Sequence, residues 1–182
     1  MTVSLDEMMA ELEPERRQRI EDSAAAVIVE QSERIPAADE YLRALGRATY
    51  NFAYLEQGIV HLMETLQPGF LKEASGKTAG QISNCFSKAV ELLEDTQSCK
   101  VRLQTLAKYF IQIVDDRNSL MHGNPHTAQM GEQRLLYDDR HGRRDWTVES
   151  IVQFSSRTAT ASIEAGDLLH GGLLQHCRAA NL

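Results

Sequence analysis

Residues 106–125, "LAKYFIQIVDDRNSLMHGNP", decide how this chain is read. Leu106, Phe110 and Val114 recur at four-residue spacing, extending a stripe that includes Val101, Leu103 and Ile111, so the segment reads as one face of an amphipathic helix. Gly123 and Pro125 follow in the usual order for a helix end, which puts His122 in the last turn. The negative end of the helix dipole favours an imidazolium there, a group suited to proton transfer. Arg117 lies five residues before His122, about 140° round the axis, so only its length lets the guanidinium reach the imidazole's side. Asn118 is four residues before His122 and is expected to orient the ring by a side-chain hydrogen bond. A cation beside a proton-transfer group suits attack of a ribose 2'-hydroxyl on its own phosphodiester, with no metal required. The bland alternative pairs Arg117 with Asp115, Asp116 or another helix and leaves His122 as a helix cap.

Outward from this stretch, other apolar runs of helical period appear. Leu42, Leu45, Phe52, Leu55, Ile59, Leu62 and Leu66 mark a long helix entered at Pro36 and ended at Pro68-Gly69, and Ile82, Phe86, Ala89, Val90 and Leu93 mark another. "RLLYDDRHGRRDWTVES", residues 134–150, changes period, and its alternation around Leu135, Tyr137, Trp146 and Val148 predicts a β-hairpin. A last helix starts near Val148 and runs through Leu169. The expected fold is therefore an all-α bundle with one small β-hairpin. Near the start, Ser4 and Glu7 form a capping box, and a helix from about Glu15 to Glu33 carries the thin stripe Ile20, Ala24, Val27 and Ile28. Such a stripe must dock on something or stay loosely ordered. Two regions result: an acidic helical arm, 1–36, and a helical domain, 37–182.

Several function classes are excluded or weakened. "LKEASGKTAG" has Leu71 where a phosphate-binding loop needs glycine. His122 and His126 have a spacing used by zinc, but Gly123, Asn124 and Pro125 break the turn and no third ligand is evident, so no metal or cofactor is expected. Cys85, Cys99 and Cys177 lack a paired spacing and read as thiols without a disulfide framework. No apolar run is long enough to span a membrane and the N-terminus lacks the order of a secretory signal, so the chain is expected to be soluble and cytoplasmic. The net charge of -7 argues against nucleic acid, yet residues 1–36 hold nine acidic and four basic side chains, and the rest is nearly neutral. Arg140, Arg143 and Arg144, at the hairpin tip with His141, form the only dense basic cluster there and are candidate RNA-binding residues.

"ALGRATYNFAYLEQGIVHLME", "QISNCFSKAVELLED" and "LAKYFIQIVDDRNSLMHGNP", followed by a hairpin, resemble a HEPN domain over roughly residues 38–170. The specific part is the Arg-polar-x3-His motif of Arg117, Asn118 and His122, and Glu56 matches an acidic marker in an early helix. The resemblance implies a metal-independent endoribonuclease of toxin or phage-defence type, working as a homodimer with RNA as substrate, its site composed across the interface. It also implies a cognate antitoxin or nucleotidyltransferase as partner. Glu56 is expected either to hold Arg117 toward the cleft, the reading preferred, or to be an exposed carboxylate on the helix's outer face, and Arg47, nine residues before it, is a further candidate for substrate phosphate or for Glu56. Some family members have lost catalysis and serve as binding modules. Residues 4–31 resemble the leader of helix-turn-helix antitoxins, although no helix-turn-helix follows, which leaves an antitoxin-like regulator, an autoinhibitory or dimerisation arm, and a fusion without a role all open.

Overall fold

A computed structural model describes residues 9–10, 12–33, 37–94, 99–139 and 142–171, with side chains except at 28–33. The capping box at Ser4, the entrance at Pro36, Arg140, His141 and Cys177 lie outside the described residues. The chain divides into two units, Met1–Ala37 and Ala38–Leu182. In the first, α1 spans Pro14–Glu33, with Pro14 at the position where a missing N–H costs nothing.

The second unit is helical with a small sheet. Helix α2, Asp39–Leu66, buries Ala48, Phe52, Leu55, Ile59, Leu62 and Met63 along one face. Leu42, counted in the stripe from sequence, is exposed, because the face that meets the core begins at Tyr41. The Pro68-Gly69 turn is held by Glu64, whose carboxylate accepts the Gly69 N–H at 3.0 Å and the Leu71 N–H at 2.8 Å. Gly69 has φ 100°, a conformation that glycine adopts without strain. The short α3, Phe70–Ala74, follows.

Helix α4, Ala79–Glu91, starts on a capping box in which Thr78 and Gln81 each accept the other's backbone N–H, at 3.3 and 2.8 Å. Helix α5, Lys100–Met121, buries Leu103, Leu106, Ala107, Phe110, Ile113 and Val114, while Val101 and Ile111 face outward. Helix α6, Val148–His170, is capped by the Thr147 hydroxyl and packs chiefly against α2. Arg102 of α5 grips Glu164 of α6 with two bonds, 2.8 and 3.0 Å.

Between α5 and α6 lies an antiparallel sheet of order β1-β2-β3: β1 Asn124–Thr127, β2 Gln133–Asp139 and β3 Gly142–Trp146. The expected hairpin is β2–β3, with Leu135 opposite Trp146. Strand β1 extends the sheet beyond that hairpin. Pro125 sits inside it, and as an edge strand it tolerates the missing donor. Trp146 anchors the sheet. It is fully buried, donates through Nε1 to Ser119 Oγ at 3.2 Å, accepts from the Tyr41 hydroxyl at 3.1 Å through its carbonyl, and meets Phe154 edge-on at 5.9 Å. A Cβ on Gly123 would lie 2.9 Å from Leu135 Cβ, so glycine is required where α5 turns into β1.

The reading of the cysteines is corrected at Cys99, which is buried and disulfide-bonded, whereas Cys85 is a free, partly buried thiol. Among the described residues no helix is long and apolar enough to cross a membrane.

Candidate active site at the end of α5

Four consecutive residues near the end of α5 point to different neighbours. Asp116, its side chain 13% exposed, accepts from Arg144 of β3 and, at 2.5 Å, from Arg157 of α6. Two guanidiniums on one carboxylate tie α5, the sheet and α6 together. Ser119 accepts the Trp146 indole N–H and donates its hydroxyl to the Asp116 carbonyl at 2.9 Å. Asp116 and Ser119 thus brace the structure.

Arg117 turns toward α2. Its guanidinium carbon lies 5.3 Å from the centroid of the Phe52 ring, and Nη1 donates to Asn118 Oδ1 at 3.1 Å. Phe52 is itself stacked on Phe110 at 6.5 Å. The arginine therefore sits on a rigid aromatic floor, an arrangement worth about 0.5–2 kcal/mol depending on desolvation. Asp116 is occupied by Arg144 and Arg157, and among the described residues no ion pair joins it to Arg117.

Glu56 is one helical turn beyond Phe52 on α2 and half-buried. Burial pushes its carboxyl above the usual range, and the Arg117 charge works in the opposite direction without cancelling the rise. Glu56 and Arg117 therefore sense each other, but among the described residues no direct ion pair joins them. The Arg117 guanidinium is thus left with N–H groups to offer.

His122 caps α5 with φ -102° and ψ 5°, its backbone N–H bonded to the Asn118 carbonyl at 3.0 Å. Its ring is exposed and makes no hydrogen bond among the described residues. The expectation that the Asn118 side chain orients this ring is replaced by a different role: the amide oxygen fixes Arg117. Arg47 is exposed. Nine residues are two and a half helical turns, which places it on the opposite side of α2 from Glu56, so it does not join this group.

The hairpin's basic residues separate. Arg144 lies 4.4 Å from the Trp146 ring centroid and is bound to Asp116, so it belongs to the brace. Arg143 is exposed and unpaired among the described residues. Arg140 lies outside them.

The sequence reading missed a polar set on the sheet's other face. His126 Nε2 is 3.0 Å from Asp145 Oδ1, and Arg134 bridges Asp145 at 2.8 Å and Glu132 at 2.5 Å. Partial burial would raise the Asp145 carboxyl, but the hydrogen bonds from His126 and Arg134 outweigh it and hold it below its usual value. Alternating positions 124, 126, 134 and 136 could have signalled this face had β1 been recognised. No cluster of three or more His, Cys, Asp or Glu side chains able to hold a metal ion occurs among the described residues.

No protein-family model matches the sequence, and no curated protein or solved structure matches it significantly. What the fold and site define is a mainly helical unit with a seated arginine and, at one helix end, a histidine whose ring is unengaged among the described residues.

Proposed function

We propose that the chain is a metal-independent endoribonuclease of the HEPN kind, acting in the cytoplasm as a homodimer, with a cognate antitoxin or nucleotidyltransferase as its controlling partner. The observation that carries this reading is the contrast between Arg117, held over Phe52 beside Glu56, and His122, whose ring is exposed and unengaged among the described residues. A positioned cation and an available imidazole are two of the components that cleavage by a 2'-hydroxyl needs. His122 exchanges the proton, Arg117 stabilises the charge developing on the phosphorane, and the P–O5' bond breaks as the P–O2' bond forms. The products are a 2',3'-cyclic phosphate and a 5'-hydroxyl. One histidine serves one of the two proton transfers, so a second copy of the chain supplies the other across a two-fold axis.

The test is incubation of the purified chain with a mixed RNA pool in EDTA. Cleavage that leaves a cyclic phosphate and stops when the 2'-oxygens are methylated supports the reading. Absence of cleavage with every partner removed leaves a binding module or an antitoxin-like regulator in its place.

A further inference from the structure

We propose that α1 is an assembly surface for a second copy of this chain, on which the two α1 helices pair antiparallel. Every described side chain from Glu13 to Val27 is exposed, including Ile20 at 41% and Val27 at 50%. The two sides of the helix differ in how their polar groups are satisfied. On one side Arg17 pairs with Glu21 at 3.0 Å and Gln18 donates to Asp22 at 2.9 Å, both bonds closing within the helix between residues four apart. On the other side Arg16, Arg19, Ile20, Ser23, Ala24 and Val27 line one shallow groove. The side chains of Arg16 and Arg19 make no hydrogen bond or ion pair among the described residues.

The charge order along α1 selects the occupant. Arg16, Arg17 and Arg19 outnumber Glu15 in its first half, and from Ile20 to Glu33 the only charged residues are Glu21, Asp22, Glu30 and Glu33. This order opposes the helix's own dipole, which favours acidic groups at the start and basic groups at the end. A parallel neighbour would set Arg16 and Arg19 against their own copies. An antiparallel neighbour sets Arg19 beside position 30, a glutamate, and brings each basic end to the other helix's carbonyl end. At helical spacing position 30 falls three residues after Val27, on the grooved side. Setting Arg19 opposite position 30 of the second copy puts the two-fold axis level with Ala24 and Ala25, and Ala24, on the grooved side, is small enough to let the helices approach. The exposed stripe of Ile20 and Val27 is then covered by its own counterpart. This pairing does not depend on RNA cleavage, because Arg117 and His122 take no part in it.

The full chain tests it by sedimentation at low salt. The wild type is expected to dimerise, with salt weakening the association. Arg19→Glu should raise the dissociation constant about tenfold, the effect of turning the two exposed attractions related by the two-fold axis into repulsions. Glu30→Arg should do the same, and an equal mixture of the two variants should restore pairing. Gln18→Ala, on the opposite side, should leave it unchanged. Under mild oxidation Ala24→Cys should cross-link to its own copy and Arg16→Cys should not. A wild type that stays monomeric, a dimer indifferent to both charge reversals, or cross-linking at 16 in place of 24 overturns the proposal.

Discussion

Arg117 is useful only while its guanidinium is held in place, and its neighbours divide that work. Phe52 supplies the floor, Asn118 takes one N–H, and Glu56 supplies a nearby carboxyl. Under the proposed chemistry, His122→Ala and Arg117→Ala should each slow RNA cleavage by about 100-fold or more, with thermal unfolding unchanged for His122→Ala and only slightly lowered for Arg117→Ala, which gives up the Phe52 contact. Asn118→Ala should do less, because it positions the arginine without touching the reacting atoms. Glu56 gives a separate signature. Its carboxyl is raised by burial, so its contribution to stability is complete below the ordinary glutamate value and is lost as pH rises through the raised one. Glu56→Gln should therefore unfold at a higher temperature than wild type near pH 7, with the gain disappearing in acid. Its cleavage rate should fall, since Arg117 loses a guide. A melting series across pH together with a rate assay checks both halves.

At the scale of elements, the sheet is fastened to the helices through Trp146 and Arg144. Arg144→Ala removes the guanidinium from the Trp146 ring and from Asp116, and should cost about 1–2 kcal/mol of stability. Arg143→Ala should leave stability alone and, if Arg143 meets a phosphate, flatten the salt dependence of RNA binding by about 0.7 in slope. Denaturant melts and a binding titration at several salt concentrations separate these two arginines, which sequence alone groups together. Gly123→Ala presses a methyl group against Leu135, and should destabilise by about 1–3 kcal/mol as the junction between α5 and β1 shifts.

For the whole molecule, a mixture of Arg117→Ala and His122→Ala chains tests whether the site is shared: if two copies each contribute, mixed dimers regain part of the activity that neither variant has alone. The helices are legible in the sequence because Phe52, Leu55, Ile59 and Leu62, like Leu106, Phe110 and Val114, keep a helical period between clear Pro and Gly boundaries. The β2–β3 hairpin is legible from alternation alone. Strand β1 is not, because four residues around a proline carry too little pattern and exist as a strand only through pairing with β2. The site is legible as a set of residue types and illegible in its directions. Asp116 and Arg117 are adjacent, about 100° apart on the helix, and which of them faces α2 is settled by packing and not by spacing. Sequence alone misplaces Arg47 and Arg144 for the same reason.

In a living cell, variants at these two adjacent positions would fail in different ways. Asp116 carries two arginines from two other elements, so Asp116→Asn weakens the fold, and a less stable chain is cleared faster by proteases. Arg117→Lys keeps a charge but loses the planar fit to Phe52 and Asn118, and should leave the amount of protein unchanged. Under selection for activity alone the two neighbours would look equally intolerant. Measuring abundance beside activity would separate them, one position limiting how much protein there is and the other what each molecule does.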